Sequence, residues 1–266
     1  MSVLGVQSAP ALAERVSSVE RAEFVGLSGA NGFVAMTATE LKASLASSRR
    51  HGVVLDIDET LSATNVAWFE RLADLFGNPG GESVDVLIRR FHLAQHVPFW
   101  QTPEALEWMQ RQRDDPRAQD DLPLIEGAVE GAHALMRHVP VVGYCTVRPC
   151  GVNANTIKWL RENGFPDLPV VSKPTDVPFA DGNKWKARVL WEMWPEVRGI
   201  VDDNPKVPIL AGVSYPGTIF LFGHSTVPEG AEHATPCATW PVVVETARTF
   251  FEGHANGDAR TTGVSV

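Results

Sequence analysis

No run of about eighteen consecutive apolar residues occurs in the chain, so none of its segments is expected to span a membrane. Cationic side chains are scarce: 23 Lys and Arg stand against 32 Asp and Glu, a formal charge of −9 at pH 7. Nucleic-acid binders usually display a basic face, so this balance argues against a nucleic-acid partner and leaves room only for a small local basic cluster. There are only three cysteines, Cys145, Cys150 and Cys237, which cannot all pair with one another, and no Cys-x-x-Cys or His-rich spacing suggests a zinc site. Cys145 lies in an apolar run and reads as a small core residue. The amino terminus has no basic start followed by an apolar core, and Glu14, Glu20 and Glu23 speak against a transit peptide. The expectation is a cytoplasmic protein, with its oligomeric state left open. Its 266 residues suffice for one large or two small domains with a sizeable core.

Residues 1 to about 36 are rich in Ala, Ser, Gly and Val with weak periodicity and read as a loosely docked leader. Thr37-Ala-Thr-Glu40 fits a capping box and opens a helix through Ser48, so residues 1–49 form a leader and helix. From His51 onward short apolar strands alternate with helices. Strands are expected at Val53 to Leu55, Val139 to Cys145, Val170 to Ser172, Arg198 to Val201 and Thr218 to Phe222. Helices are expected over Glu126 to His138, Val152 to Glu162, Asn183 to Trp194, Val207 to Ala211 and Val242 to Glu252, with a frayed tail over 255–266. Such alternation predicts an α/β fold, a mostly parallel sheet flanked by helices, built from residues 50–65 and 122–254.

Residues 66–121 break the alternation. They read as helices at Ala63 to Phe76, Ser83 to Ala94 and Pro103 to Arg113, punctuated by Gly77-Asn-Pro-Gly-Gly81 and Asp114-Asp-Pro116. An α-helical cap inserted directly after the first strand would sit over that strand's carboxyl end as a lid. Its aromatics read mainly as core, with Phe99 and Trp100 in a non-helical link where a lid would face substrate.

The chemistry-bearing residues cluster at strand ends. Val53-Val-Leu55 is a buried-type strand that terminates in Asp56-Ile-Asp58-Glu-Thr60. Asp56 and Asp58 project to one side while the strand persists, and open α/β sheets place their sites beyond the carboxyl ends of the strands. Two crowded carboxylates repel unless a cation lies between them, and a hard divalent ion with oxygen ligands, most simply Mg2+, meets that need. The strand to Cys145 ends in Thr146, whose hydroxyl and following amides suit a phosphoryl oxygen, with Arg148 two residues on offering a planar fork to substrate. Asn183-Lys-Trp-Lys-Ala-Arg188 puts two lysines at a helix start, against the local dipole. Gly199-Ile-Val-Asp202-Asp203 again delivers acids at the end of an apolar strand.

In this order the four segments resemble the signatures of the haloacid-dehalogenase-like hydrolases, specifically their Asp-x-Asp-x-Thr phosphatase branches. The resemblance covers Val53 to about Phe222 and implies a Rossmann-like core. It implies Asp56 as nucleophile, Asp58 as general acid and base, and Thr146 with Lys184 as ligands of the transferring oxygens; spacing to the acidic pair favours Lys184 over Lys186, and Lys173 is an outside candidate. Thr60 would orient the loop. Mg2+ would be held by Asp56, the backbone carbonyl of Asp58, Asp203 and Asp202. The implied activity is phosphomonoester hydrolysis through an aspartyl-phosphate, with a small phosphorylated metabolite or nucleotide favoured by the lid. Polynucleotide-end phosphatases, protein phosphatases, a phosphotransferase or mutase and a non-catalytic binding protein of the same fold are the alternatives.

Overall fold

The computed structural model describes residues 32–261, with side chains through 253. Seven strands make up the sheet: β1 (Ala35–Met36), β2 (Gly52–Leu55), β3 (Val141–Pro149), β4 (Val170–Lys173), β5 (Val197–Asp202), β6 (Thr218–Phe222) and β7 (Ala234–Cys237). Their order is β1-β4-β3-β2-β5-β6-β7, and every neighbouring pair is parallel. Parallel strands need crossovers, and the crossing helices cover both faces. One layer is α1 (Ala38–Ser47), α7 (Gly182–Met193) and α8 (Lys206–Ala211); the other is α5 (Ala128–Met136), α6 (Asn153–Glu162) and α9 (Trp240–Thr261). Strand alternation feeds the two: Ile219 and Leu221 of β6 enter the first layer, Phe220 and Phe222 the second. Thr37 caps α1 with the reciprocal Glu40 bond read from the sequence.

Two strands escape the pattern reading. β1 is only two residues long and occupies the end of what was expected to be a leader; residues 1–31 of that leader lie outside the described residues. β7 is Ala-Thr-Pro-Cys, and Pro236 removes an amide, which only an edge strand tolerates. At the other end, α9 runs on as helical backbone to Thr261 where fraying was expected from 255, and 262–266 lie outside the described residues.

Close strand packing explains one glycine in particular. A Cβ on Gly52 would stand 2.0 Å from the Pro140 carbonyl oxygen, so only glycine lets β2 start beside the turn into β3.

After β2 the chain makes a tight flap. Leu61 and Ser62 amides both donate to the Ile57 carbonyl, at 2.8 and 2.9 Å, and Ser62 bridges antiparallel to Leu124 on the returning chain. Between those two passes lie α2 (Thr64–Phe76), α3 (Val84–Phe91) and α4 (Pro103–Asp114), which have their own apolar cluster of Trp68, Phe69, Leu72, Leu87, Trp100 and Met109. Trp100 is the cap's centre rather than a substrate-facing residue: it is fully buried, stacks edge-on against Phe69 at 5.3 Å, and its indole N–H donates to the Gly77 carbonyl at 2.9 Å. No helix among the described residues is long and apolar enough to cross a membrane.

Candidate active site

Register builds the site. β2 lies between β3 and β5, and Leu55 pairs with Tyr144 on one side and Val201 on the other. The residues just beyond that level are Asp56, Cys145 with Thr146, and Asp202 with Asp203. Three parallel strands therefore end together and deliver acids and a hydroxyl to one edge. Single oxygens of Asp56, Asp202 and Asp203 all lie within 4.8 Å of one another.

The cation among them is Lys186, not Lys184. The Lys186 ammonium donates to Asp202 Oδ2 at 2.7 Å and pairs with Asp56 Oδ2 at 2.8 Å, and the residue is 1 % exposed. Lys184 stays at the surface, its side chain 69 % exposed, paired with Asp181 at 3.0 Å. The reason is helical phase. The buried residues of α7 are Gly182, Trp185, Lys186, Ala187, Val189, Leu190 and Met193, so Lys186 occupies a core position, and Lys184, two residues earlier and so on nearly the opposite side of the helix, does not. That stripe was visible in the sequence as a lysine in phase with apolar residues. Lys173 is also turned away; its ammonium donates to the Pro174 and Val177 carbonyls at 3.1 and 2.6 Å and props the loop after β4.

Both Asp202 oxygens have partners within the chain. Besides Lys186 on Oδ2, its Oδ1 accepts the Asn204 amide at 2.8 Å. Asp56 is split: Oδ2 faces Lys186, while Oδ1 is buried without a hydrogen-bond partner. Such an orphan is costly unless something outside the chain meets it. Burial pushes the Asp56 carboxyl up to about 7, against the pull of Lys186 and with help from the Asp202 and Asp58 charges. Burial likewise raises Asp203 well above the ordinary value, reinforced by Asp202, Asp56 and Glu59. Burial opposes a charge on Lys186, yet Asp202 and Asp56 override it and hold the ammonium charged. One ammonium cannot balance three clustered carboxylates, so the donor set fits a hard divalent cation, with Asp56, Asp202 and Asp203 as the carboxylates that could hold it.

Asp58 sits on the flap, held from two sides. Arg148, itself 5 % exposed, donates Nε to both carboxylate oxygens at 3.1 Å and Nη2 to Oδ1 at 2.7 Å. Thr64, the first residue of α2, donates its hydroxyl to the same Oδ1 at 2.6 Å. Burial pushes the Asp58 carboxyl up, but the guanidinium and these hydrogen bonds outweigh it and hold it below the usual range. Arg148 is thus an internal partner of Asp58 rather than a free fork at the surface, and it also donates to Ser62 at 3.0 Å. The Thr146 hydroxyl is buried at the same strand end and accepts the Arg148 amide at 3.2 Å. Thr60 is completely buried within the flap and its hydroxyl has no partner. Residues that sequence reasoning passed over are Thr64, Ser62, Glu59 and His224, whose Nε2 lies 2.9 Å from the Asp203 carbonyl. The first three are placed by the flap's conformation and His224 by the turn after β6, for neither of which a linear pattern exists.

The cap closes on the core at a second point. Arg113 near the end of α4 lies over the ring of Phe179, 4.1 Å from its centroid, on the loop after β4. The Ser62–Leu124 bridge ties together the two passes that lead into and out of the cap.

No family model and no curated protein matches the sequence. Solved structures with a similar course of chain include a crystal structure described as a dehalogenase, at 16% identity and TM-score 0.45 over 74% of this chain and 96% of that one. A HAD family hydrolase from Deinococcus radiodurans R1, with bound phosphate and sodium, is similar at 14% identity and TM-score 0.39 over 74% of this chain and 88% of that one. A haloacid dehalogenase-like hydrolase from Burkholderia xenovorans LB400 is similar at 17% identity and TM-score 0.39, over 73% and 98% of the two chains.

Proposed function

We propose that this protein is a Mg2+-dependent phosphomonoester hydrolase of the haloacid-dehalogenase-like type that works through an aspartyl-phosphate. The observation that carries the reading is the division of Asp56, one oxygen paired with a buried ammonium and the other buried and open. A carboxylate so arranged is oriented, kept from solvent and supplied with a free lone pair, which is what a nucleophile requires. Asp56, Asp202 and Asp203, with the Asp58 carbonyl, would hold the cation; bound there, it would supply positive charge that keeps the acids ionised and shields Asp56 from an incoming phosphate.

The chain's own groups divide the rest of the work. An oxygen of Asp56 bonds to phosphorus as the ester P–O bond breaks, and the departing oxygen takes a proton from Asp58, a role that requires Asp58 to leave the Arg148 and Thr64 bonds that hold it ionised in this arrangement and to be protonated as substrate binds. Asp58, now ionised and steadied by Arg148 and Thr64, takes a proton from water as the water oxygen bonds to phosphorus and the bond to Asp56 breaks. That returns Asp58 to its acid form for the next leaving group. Thr146 and Lys186 bind the transferring oxygens, and the Lys186 charge offsets that of Asp56 and Asp202. A helical cap inserted after β2, touching the core through Arg113 and Phe179, favours a substrate small enough to be enclosed, a phosphorylated metabolite or nucleotide, over a polymer end.

The test is phosphate release from 4-nitrophenyl phosphate and a panel of phosphorylated metabolites with and without Mg2+. Turnover should require the metal, and Asp56→Asn should abolish it while leaving thermal unfolding nearly unchanged. Absence of metal-dependent release across the panel, or substantial residual turnover by Asp56→Asn, refutes the reading.

A further inference from the structure

We infer that His224 is a positioning residue of the cation site, acting through the backbone of Asp203, an inference that rests on the cation reading of Asp56, Asp202 and Asp203 above. The Asp203 carboxylate has no hydrogen-bond or ion-pair partner among the described residues, so nothing at its tip fixes where it points. Only the backbone that carries it can do so. The residues beside it are held by local turns: Asp202 Oδ1 accepts the Asn204 amide at 2.8 Å, and Asn204 Oδ1 accepts the Lys206 amide at 3.0 Å. Asp203 itself is held from the next strand, where His224 Nε2 lies 2.9 Å from its carbonyl oxygen. A carbonyl only accepts, so Nε2 carries the proton and donates it.

His224 is itself anchored. β6 runs parallel to β5 with Leu221 opposite Asp202, so its end stands beside the acidic pair. Gly223 then turns the chain with a left-handed φ of 77°, which glycine adopts without strain, and its amide donates to the Cys237 carbonyl of β7 at 2.9 Å. The half-buried ring stands on that pinned turn. Three strand ends are thereby tied in series, β7 to Gly223 and His224 to Asp203. The fold needs no particular donor here, since water would satisfy a half-buried carbonyl as well. What the fold does not account for is a donor fixed to the one member of the acidic cluster whose carboxylate is otherwise unheld. Oxygens of Asp56, Asp202 and Asp203 stand within 4.8 Å of one another. Mg2+ takes its ligands in near-octahedral array at about 2.0–2.1 Å, so a peptide unit that rocked at position 203 would carry its carboxylate out of reach. Asp56 Oδ1, buried and without a partner in the same cluster, is the independent sign that an ion belongs there. His224 keeps that peptide unit still.

The experiment measures Mg2+ binding to the full chain by titration calorimetry at pH 8, together with urea unfolding in EDTA, for the wild type, His224→Ala, His224→Gln and Asp203→Asn. His224→Ala is expected to weaken Mg2+ binding about tenfold, the lower end of what losing an outer partner does at a metal site. His224→Gln, whose amide nitrogen can donate from much the same place, should recover the wild-type affinity to within about threefold. Metal-free unfolding midpoints of both should stay near that of the wild type, because water replaces a half-buried donor. Asp203→Asn should abolish binding. If His224→Ala binds Mg2+ as tightly as the wild type while Asp203→Asn does not bind, the role of His224 is overturned and the cation site stands. Equal weakening in His224→Ala and His224→Gln overturns it too, because the bulk of the ring and not its bond would then matter. A His224→Ala variant that does not fold, or whose metal-free midpoint falls steeply, overturns it as well, since the side chain would then serve the fold. A wild type that binds no Mg2+ overturns both readings.

Discussion

Replacing Lys186 by methionine isolates the buried ammonium, because methionine fills much the same volume and leaves the packing of α7 intact. The variant strands two carboxylates. Asp56 Oδ2 and Asp202 Oδ2, now 2.8 and 2.7 Å from the ammonium, would face each other with no charge between them, in a place where Lys186 is 1 % exposed. Removing one partner of a buried ion pair costs about 3–5 kcal/mol. The same change at Lys184 removes a pair whose side chains are 69 % and 44 % exposed, where solvent screening leaves about 0–1 kcal/mol at most. Urea unfolding of the metal-free protein reads the difference: with m near 3 kcal/mol per molar, the midpoint of Lys186→Met falls by about 1 M or more and that of Lys184→Met barely moves. The pH dependence has a definite sign. Burial already raises the Asp56 carboxyl to about 7 against the pull of Lys186, and without the lysine it stands higher still above its unfolded value, so the variant is relatively more stable when Asp56 is protonated and loses stability as pH rises through that range. The deficit of Lys186→Met against the wild type should be larger at pH 8 than at pH 5. A Lys186→Met midpoint equal to the wild type, a larger loss at Lys184, or a deficit that grows on acidification would refute the placement of the ammonium between the two acids.

Gly52→Ala would put a Cβ 2.0 Å from a backbone carbonyl oxygen that cannot swing away, so β2 and β3 must separate; a loss of about 3 kcal/mol or failure to accumulate as soluble protein is expected, and wild-type stability would contradict the packing argument. Trp100→Ala empties the centre of the cap and should cost about 3–5 kcal/mol there, seen in hydrogen exchange as lost protection over α2 to α4 with the sheet unaffected; uniform loss across the chain would mean the cap has no core of its own. Arg148→Lys replaces a fork that reaches both Asp58 oxygens with a point charge, and phosphate release should slow at least about tenfold; an unchanged rate would show that the fork is dispensable.

The α/β alternation was legible because each central strand is a short apolar run bounded by polar turns, and each helix repeats its apolar residues at helical spacing. Thr218 to Phe222 needs no correction at all. Where the reading failed, the competing physics is identifiable. Two residues of β1 carry no period, and Pro236 in β7 is admissible only because its amide lies at a sheet edge, a fact that belongs to strand order rather than to local sequence. The convergence of Asp56, Thr146, Asp202 and Asp203 was readable for a stronger reason: parallel strands in register finish level with one another, so residues that end consecutive apolar runs are neighbours whatever the loops do.

The site's partnerships follow a different logic, and Lys184 against Lys186 shows it. Counting residues to the next acidic pair favoured the first lysine, yet distance along a helix says nothing about which way a side chain points. Phase decides that. Lys186 falls three and four residues before Val189 and Leu190 and seven before Met193, so it must enter the core with them, and a lysine that enters a core needs carboxylates at its tip. The apolar stripe thus selects the lysine and implies its partners together. Asp58 offers no comparable handle. Its partners come from the far end of β3 and the first residue of the cap, brought together only when the flap between Ile57 and Ser62 takes its bonded form. Residues set by strand register or helix phase are readable from a single chain; those set by loop closure wait for the fold.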